Sequence, residues 1–207
     1  MNWEDEGYLL SKRKFRENAN IVNVFTQSRG RMSGIVYGGN SRKIRNYLQL
    51  SNKLFVVHSS KNENKSGYFK TELIKPISPF YFNDKTRISA LISLCSILNL
   101  LLPEEQPNKK IYKSLEEFMN SIDLENWIIL FIFLELIIIK ELGYDPNLSK
   151  FKNNQSNLND IQKINIDNIN YEVPNFLIKK KIPDKLTNQL IKKGLYFTRS
   201  IIQNKFF

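Results

Sequence analysis

The sequence is poor in the residues that build metal centres and covalent active sites. It contains one cysteine and one histidine among 207 residues. A single cysteine excludes an intramolecular disulfide and every multi-cysteine zinc site, and a single histidine excludes a histidine cluster. Cys95 lies in an apolar run and is expected to be a small buried hydrophobe. His58 lies in a predicted strand and is expected to be a packed or surface side chain rather than a ligand or base.

Motifs for nucleotide binding and for membrane insertion are also missing. The sequence has no G-x-x-x-x-G-K-S/T loop and no G-x-G-x-x-G fingerprint, which argues against a nucleotide-driven enzyme. The longest apolar run, residues 127–139, includes a glutamate and is shorter than the roughly 20 residues that cross a bilayer. The first seven residues carry three acids and no apolar segment. We therefore predict no secretory signal, and we expect a cytoplasmic protein.

Positive charge is concentrated in the first part of the chain. The formal net charge is +11, but lysine is frequent throughout, so the total alone says little about partners. Residues 1–82 hold 14 Lys and Arg against 6 Asp and Glu, whereas residues 83–207 hold 17 against 14. Six of the eight arginines lie within 33 residues, namely Arg13, Arg16, Arg29, Arg31, Arg42 and Arg45. This cluster predicts a phosphate-binding surface in the first part of the chain.

Five short segments rich in β-branched and aromatic residues precede Pro76. They are Gly7–Lys14, Ile21–Gln27, Met32–Tyr37, Leu54–His58 and Tyr68–Ile74. Turn-forming residues separate them, including Arg29-Gly30 and the run Gly38-Gly39-Asn40-Ser41. Five closely spaced strands predict a small Greek-key barrel of the OB type over residues 1–78. An SH3-like barrel and a small antiparallel sandwich fit the same pattern.

The periodicity after Pro79 is helical and predicts an all-helical domain over residues 79–207, which makes the chain α+β as a whole. The predicted helices are Lys85–Leu102, Ile111–Ile122, Leu124–Leu142 and Asp184–Asn204. Asp84 and Asp123 are the predicted N-caps of the first and third of these helices.

The third predicted helix is apolar on almost all sides and is expected at the centre of the helical domain. Glu135 within it therefore needs a hydrogen-bond partner, and we expect it to be a structural carboxylate. Residues 150–170 are rich in Asn, Gln, Lys and Ser. This composition predicts a disordered or loop segment.

Three basic connections of the predicted barrel carry the candidate nucleic-acid contacts. The candidate DNA-binding residues are Lys12, Arg13, Lys14, Arg16, Arg29, Arg31, Arg42, Lys43, Arg45 and Tyr47. If the first two strands form a hairpin, these connections are expected to gather on one face as a groove that follows a phosphate backbone. Tyr47, and after it Tyr68, are expected to be exposed and to stack on bases.

Two blocks of the sequence carry motifs in a distinctive order. The first holds Glu6-Gly7, Phe15-Arg16-Glu17-Asn18, Ile21–Thr26 followed by Arg29-Gly30, Val36-Tyr37-Gly38-Gly39 before Ser41-Arg42, and Leu48-Gln49. The second holds Leu134-Glu135-Leu136 and Glu141-Leu142-Gly143-Tyr144, with a weaker match at Val173-Pro174 and Leu195–Ile202. In order and spacing these segments resemble the RecO family of bacterial DNA repair and recombination mediator proteins.

The resemblance implies an OB-fold domain followed by a helical domain, in a cytoplasmic, nucleoid-associated protein without catalytic residues. It implies binding of single- and double-stranded DNA, annealing of complementary strands, and help in loading RecA onto DNA coated with single-strand-binding protein, together with RecR. A cationic surface neutralises two polyanions without chemistry, so annealing fits the charge pattern and should weaken steeply with salt.

This sequence departs from the resemblance after Gly143-Tyr144, where many members of the family carry a cysteine-rich zinc-binding insert. Residues 148–169 contain neither Cys nor His, so we expect no zinc and no other cofactor. The family's contact with the acidic tail of single-strand-binding protein is expected on the helical domain, but residues 127–139 hold no basic residue to meet a carboxylate. Lys109, Lys110 and Lys113 are the predicted substitutes for this partner contact.

Three other functions fit parts of the pattern. An RNA- or ribosome-associated OB protein would use the same basic barrel, because nothing in it is expected to read a base specifically. A nuclease that holds magnesium has less support, since Glu4-Asp5-Glu6 and Glu116-Glu117 lie in a terminus and on a helix surface without a matching partner. The helical domain would be an interaction platform alone if the barrel had lost DNA binding.

Overall fold

The computed structural model describes residues 2–39, 41–60, 67–153 and 156–207. The chain divides into two compact units, Met1–Tyr112 and Lys113–Phe207. The first unit contains a closed five-stranded barrel, and the second is mainly helical. The predicted fold class, α+β with a barrel followed by a helical region, is confirmed.

The barrel is built from five strands in the order β1-β2-β3-β5-β4, closed by pairing of β1 with β4. The strands are β1 (Asn2–Phe15), β2 (Ala19–Thr26), β3 (Gly30–Tyr37), β4 (Lys53–Ser59) and β5 (Gly67–Lys75). All pairs are antiparallel except β3 with β5. These five strands form one closed barrel and not two packed sheets, so the sandwich alternative is wrong.

Closure depends on the length of β1, which has 14 residues. Its first half pairs with β4 and its second half with β2, with a register shift between Leu9 and Ser11. A bulge of this kind bends a strand and raises its twist. Alternate residues of the strands fill the interior, where the buried core consists of Leu9, Val22, Val24, Met32, Val36, Leu48, Leu54, Val56 and Phe69. His58 is also buried, with its ring stacked on Trp3 at 4.8 Å between centroids.

A short helix, α1 (Arg42–Tyr47), joins β3 to β4 where the sequence analysis expected only a basic connection. The hydroxyl of Ser41 accepts a hydrogen bond from the amide of Ile44 at the start of α1. Ile44 and Tyr47 pack against the barrel core. This one-sided packing leaves the basic residues of α1 exposed.

Helix α2 (Lys85–Leu101) packs on β1 and belongs to the same unit as the barrel. The predicted N-cap is confirmed, since Asp84 accepts hydrogen bonds from the amides of Thr86 and Arg87. Cys95 lies on the buried face and its thiol donates to the carbonyl of Leu9. Burial raises the pKa of the Cys95 thiol to about 12, and the prediction of a buried cysteine is confirmed.

Four further helices follow, α3 (Lys109–Ser121), α4 (Trp127–Glu141), α5 (Asn175–Lys179) and α6 (Asn188–Phe206). The predicted N-cap Asp123 is wrong, because residues 122–126 form turns and α4 begins after Asn126. Eight residues of α4 are buried, which confirms it as a core helix. None of the helices among the described residues has the length and apolar content needed to cross a bilayer.

The prediction of a loop segment at residues 150–170 is wrong for the last part of that segment, and the prediction of an all-helical domain is wrong for the same reason. A hairpin of β6 (Ile161–Ile166) and β7 (Ile169–Pro174) lies there, joined by Asp167 and Asn168, which both have positive φ. Two positive-φ residues are the signature of a tight hairpin turn, which Asp and Asn tolerate. The polar composition hid an alternation in which Ile164 and Ile166 are buried. Residues 154 and 155 of the predicted loop lie outside the described residues.

Candidate nucleic-acid interface

Strand register separates the three basic connections into two groups at opposite ends of the barrel. At one end Ala19 pairs with both Phe15 and Tyr37, which brings the β1–β2 turn to the end of β3 that leads into α1. The Arg29-Gly30 turn lies at the other end of β2, roughly 23 Å away at the usual rise per residue. The prediction that all three connections gather on one face is therefore wrong.

The first end is held together by backbone contacts. The amide of Gly38 donates to the carbonyl of Asn18 at 2.8 Å, and the amide of Ser41 donates to the carbonyl of Gly38 at 2.8 Å. Gly39 lies so close to β2 that a Cβ there would be 2.2 Å from Nδ2 of Asn20. A larger residue at this position would therefore require the Asn20 side chain to move.

We call the exposed cationic and aromatic residues at this end the α1 surface. It comprises Arg13, Lys14, Arg16, Tyr37, Arg42, Lys43, Arg45, Tyr68 and Lys70, all of them exposed. Six of these cations come from the predicted set, whereas Tyr37 and Lys70 were missed. Glu17 is the acid of the neighbouring turn and is also exposed. Tyr47 ties α1 to β5, because its hydroxyl donates to the carbonyl of Thr71 at 2.6 Å.

Lys12 is exposed as well but is not counted in the α1 surface, because its ammonium is bonded to the end of α1. Its Nζ donates to the carbonyl of Leu48, the C-cap of α1, at 2.7 Å. Burial, and then the charge of Arg45, lower the pKa of Lys12. Lys12 thus positions the end of α1 and adds to the positive potential around Arg45.

The aromatic residues of the α1 surface are two tyrosines on the outer face of the barrel. Tyr37 and Tyr68 are 53% and 44% exposed, and their ring centroids lie 5.2 Å apart. A hydrogen bond with Tyr68 raises the pKa of Tyr37, while the charge of Arg16 acts in the opposite direction. The guanidinium of Arg16 covers the ring of Phe15 at 5.1 Å.

The expected exposure is found for Tyr68 but not for Tyr47, which is half-buried with its hydroxyl engaged. Strand alternation provides the signal that would have identified Tyr37. Met32 and Val36 point into the barrel core, so Tyr37 has the outward parity of β3. Lys70 follows from the same rule, since it lies two residues after Tyr68.

At the opposite end of the barrel, the Arg29-Gly30 turn is covered by the segment that follows α2. Arg31 donates from Nε to the carbonyl of Leu102 at 2.7 Å and from Nη1 to Glu104 at 3.0 Å, and its side chain is only 15% exposed. A Cβ at Gly30 would lie 2.1 Å from the carbonyl oxygen of Gln106. Arg29 remains exposed, with its guanidinium 5.9 Å from the ring of Trp3.

The acids near this end have structural partners. Asp5 accepts hydrogen bonds from the amide and hydroxyl of Ser28, and Glu6 forms a salt bridge of 2.9 Å with Lys53. Within the described ranges, no group of three or more His, Cys, Asp or Glu side chains could hold a metal ion. The acidic start of β1 thus stabilises the barrel.

The lysines predicted for partner binding lie on α3. Lys109, Lys110 and Lys113 are all exposed. Lys113 lies 3.9 Å from Glu117 one turn later in an exposed pair, which contributes little to stability. These residues offer accessible positive charge.

Comparison with known proteins identifies the family to which this chain belongs. Residues 1–77 match the family model described as Recombination protein O N terminal, and residues 83–205 match the model described as Recombination protein O C terminal. The chain belongs to the RecO family. The two family models meet between β5 and α2. In the structure, however, α2 belongs to the same compact unit as the barrel.

Curated RecO relatives resemble the chain over most of its length. The DNA repair protein RecO of Ehrlichia chaffeensis is 34% identical over 161 residues, which are 77% of this chain and 65% of that protein. The proteins of the same name from Cereibacter sphaeroides and Wolbachia pipientis are 30% and 32% identical over 72% of this chain, covering 63% and 62% of their own lengths. The matched region thus spans somewhat less than two thirds of these RecO proteins.

Proposed function

We propose that this RecO-family chain is a DNA repair and recombination mediator that binds single- and double-stranded DNA and anneals complementary strands. The relatives named DNA repair protein RecO support the repair role. The observation that carries the DNA-binding assignment is the register of β1, β2 and β3, which assembles the cations of the α1 surface at one end of the barrel.

The α1 surface suits a nucleic-acid backbone on physical grounds. It presents seven exposed cations and two exposed tyrosines, with Glu17 as the acid of the turn beside it. Neutralising phosphates releases counterions, so binding through such a surface weakens steeply as salt rises. Tyr37 and Tyr68 would stack on unpaired bases without sequence preference. Binding of this kind neutralises the phosphates of the strands and leaves the strands available for pairing. We propose that it needs no catalytic residue.

The family relationship supports three partners. We propose direct contacts with RecR and with single-strand-binding protein, and through them an effect on RecA loading. For the acidic tail of single-strand-binding protein, the exposed lysines Lys109, Lys110 and Lys113 are the proposed contacts. Their triple replacement by Gln should weaken binding of an acidic tail peptide and leave DNA affinity unchanged.

The DNA-binding assignment is tested by reversing one charge at each end of the barrel. Arg42→Glu changes the α1 surface, and Arg29→Glu makes the same charge change on an exposed arginine at the other end. Fluorescence anisotropy with single-stranded DNA over a salt series should show about a tenfold loss for Arg42→Glu, with the salt slope lower by about 1. Arg29→Glu should bind nearly as well as the unchanged protein. Equal losses in both variants would mean that binding follows net charge and not this surface.

Annealing and nucleic-acid preference are tested separately. Complementary oligonucleotides coated with single-strand-binding protein should pair faster in the presence of the chain, and less so as salt rises. Competition with a folded RNA identifies the alternative of an RNA-associated protein. Stronger competition by folded RNA than by single-stranded DNA, without acceleration of annealing, would contradict the proposal.

A further inference from the structure

The second unit contains an open groove of about 620 Å³ between the β6–β7 hairpin and α6. It is lined by Lys163, Asn170, Tyr171, Glu172, Lys193 and Tyr196. The hairpin is anchored to α6 beneath the groove, because the ring of Tyr171 packs edge-on against Phe197 at 5.4 Å between centroids. Asn204 also donates to the hydroxyl of Tyr171 at 3.4 Å. The walls of the groove are thus held in place by packing.

The charge of the groove is positive despite the carboxylate in its wall. Lys163 lies directly opposite Glu172 across the hairpin, and Nζ of Lys193 donates to the same carboxylate. The hydrogen bond from Lys193 and the charges of both lysines lower the pKa of Glu172. Two cations therefore surround one anion, and the lining retains a net positive charge.

The sequence extends this positive charge over the neighbouring surface. Residues 175–207 contain eight Lys and Arg against one Asp, whereas residues 113–174 contain five against ten acids. The outer face of α6 presents Gln189, Lys192, Tyr196 and Arg199 at spacings of three and four residues, so they share one side of the helix. Arg199 donates to the buried Glu135 at 2.5 Å. Lys192 is exposed next to Lys193.

Tyr196 is the unusual feature of this face. Its side chain is 68% exposed at the rim of the groove, beside Lys192 and Lys193. A large ring that stays in water among cations is a poor contributor to the core but a suitable platform for a base. The other aromatic residue of the groove, Tyr171, is buried.

We propose that this groove is a second binding site for single-stranded DNA. Tyr196 stacks on an unpaired base, and Lys163, Lys192 and Lys193 contact the adjacent phosphates. A free base face is available in a single strand and not inside a duplex, which selects the single-stranded form. The site rests on the proposed function and adds to it, because annealing requires two strands and the α1 surface accounts for one.

The experiment maps where a single strand contacts the full-length chain. A short oligonucleotide containing bromodeoxyuridine is crosslinked by ultraviolet light to the unchanged protein and to the Arg42→Glu/Arg45→Glu variant, and the crosslinked peptides are identified by mass spectrometry. Crosslinks at Tyr196 are expected in both proteins. Crosslinks at Tyr37 or Tyr68 are expected only in the unchanged protein.

Affinity measurements in the Arg42→Glu/Arg45→Glu protein isolate the second site. Adding Tyr196→Ala should weaken its binding to oligothymidylate roughly 5- to 150-fold, the range for loss of one stacked base, whereas Tyr196→Phe should retain binding. Phe207→Ala is the matched control, because Phe207 is also an exposed aromatic residue of this unit. It should leave the affinity unchanged.

Each result decides between the two sites. Crosslinks restricted to the first unit, with no effect of Tyr196→Ala, would overturn the second site and leave the proposed function standing. No binding by the unchanged protein would overturn both. An acidic peptide that binds the unchanged protein but not Tyr196→Ala, in the absence of a crosslink at Tyr196, would make the groove a peptide site and overturn the inference.

Discussion

Arg31 and Arg42 belong to the same arginine cluster of the sequence, but the structure gives them different roles. Arg31 is mostly buried and bonded to Leu102 and Glu104, whereas Arg42 is exposed on α1. Removing a charged hydrogen bond inside the protein lowers the stability of the fold, whereas removing an exposed cation mainly weakens binding to a partner. The fate of an arginine therefore depends on what packs over it and not on the cluster it comes from.

We predict opposite effects of alanine at these two positions. Arg31→Ala should lower the free energy of unfolding by about 1–3 kcal/mol, measured by urea denaturation, and should change DNA affinity little. Arg42→Ala should weaken DNA binding and leave the urea midpoint unchanged. A loss of DNA affinity at Arg31→Ala as large as that at Arg42→Ala would return Arg31 to the DNA-binding set.

Glu135 is a buried carboxylate in the middle of an apolar helix, and both of its oxygens are occupied. Thr198 donates to Oε2 and Arg199 donates to Oε1, each at 2.5 Å. Burial raises the pKa of Glu135, and the charge and hydrogen bonds of its two partners only partly offset this. The predicted structural role of Glu135 is confirmed by these contacts.

The raised pKa gives a pH dependence of stability with a definite sign. The contribution of Glu135 is fully present below its unfolded pKa of about 4.3 and is lost as the pH rises through its higher folded pKa. Glu135→Gln removes this titration, so the variant should gain stability relative to the unchanged protein as the pH rises above that value. Urea denaturation at several pH values measures the difference, with Glu125→Gln at an exposed position as the control. The opposite slope would show that pairing with Arg199 outweighs burial.

At the scale of elements, the start of α2 is stabilised by a capping carboxylate. Asp84 accepts two backbone hydrogen bonds at 3.0 Å from the first turn of α2 and a 2.6 Å hydrogen bond from the Arg87 side chain. These bonds from Arg87 and Thr86 lower the pKa of Asp84. An N-cap carboxylate is the preferred partner for the free amides of a helix start.

We predict that Asp84→Ala lowers the urea midpoint at neutral pH and that Asp84→Asn does so less, because the amide oxygen still caps. A lowered folded pKa contributes stability above the unfolded pKa of about 3.9 and loses it as the pH falls through the folded pKa. The gap between Asp84→Ala and the unchanged protein should therefore close in acid. A gap that stays constant down to low pH would mean that the charge of Asp84 does not matter.

At the scale of the whole molecule, charge is organised by structure as well as by sequence. The α1 surface collects cations from β1, β5 and α1, and the second unit collects them along α6 and the β6–β7 hairpin. In each case an exposed tyrosine stands among the cations. Under the proposed function, each of these surfaces would bind one strand.

Metal content is a further property of the whole chain. The sequence lacks the cysteines of the family's zinc insert, and the described residues hold no cluster of ligands. We predict that the purified protein contains far less than one zinc per chain by plasma mass spectrometry, and that a chelator leaves its urea midpoint unchanged. Stoichiometric zinc, or a midpoint lowered by the chelator, would contradict this.

The sequence by itself determined the five barrel strands, four of the helices and the class of fold. Period-two alternation and turn residues place all five barrel strands, and the apolar period places α2, α3, α4 and α6, because local patterns reflect which side of an element is buried. Residues 161–174 were missed because polar composition masked a short alternation. The arginine cluster indicated the first unit as the basic one, since charge is written directly in the residue types.

Tertiary structure alone decided which of the basic residues share a surface. The pairing register of β2 places the turn that holds Arg16 at the end of β3 that leads into α1 and sends Arg29 to the opposite end, and the segment after α2 mostly buries Arg31. Similarly, the packing of α1 occupies Tyr47 and leaves Tyr37 exposed. These outcomes depend on contacts between residues far apart in the chain, and a local pattern contains no record of such contacts.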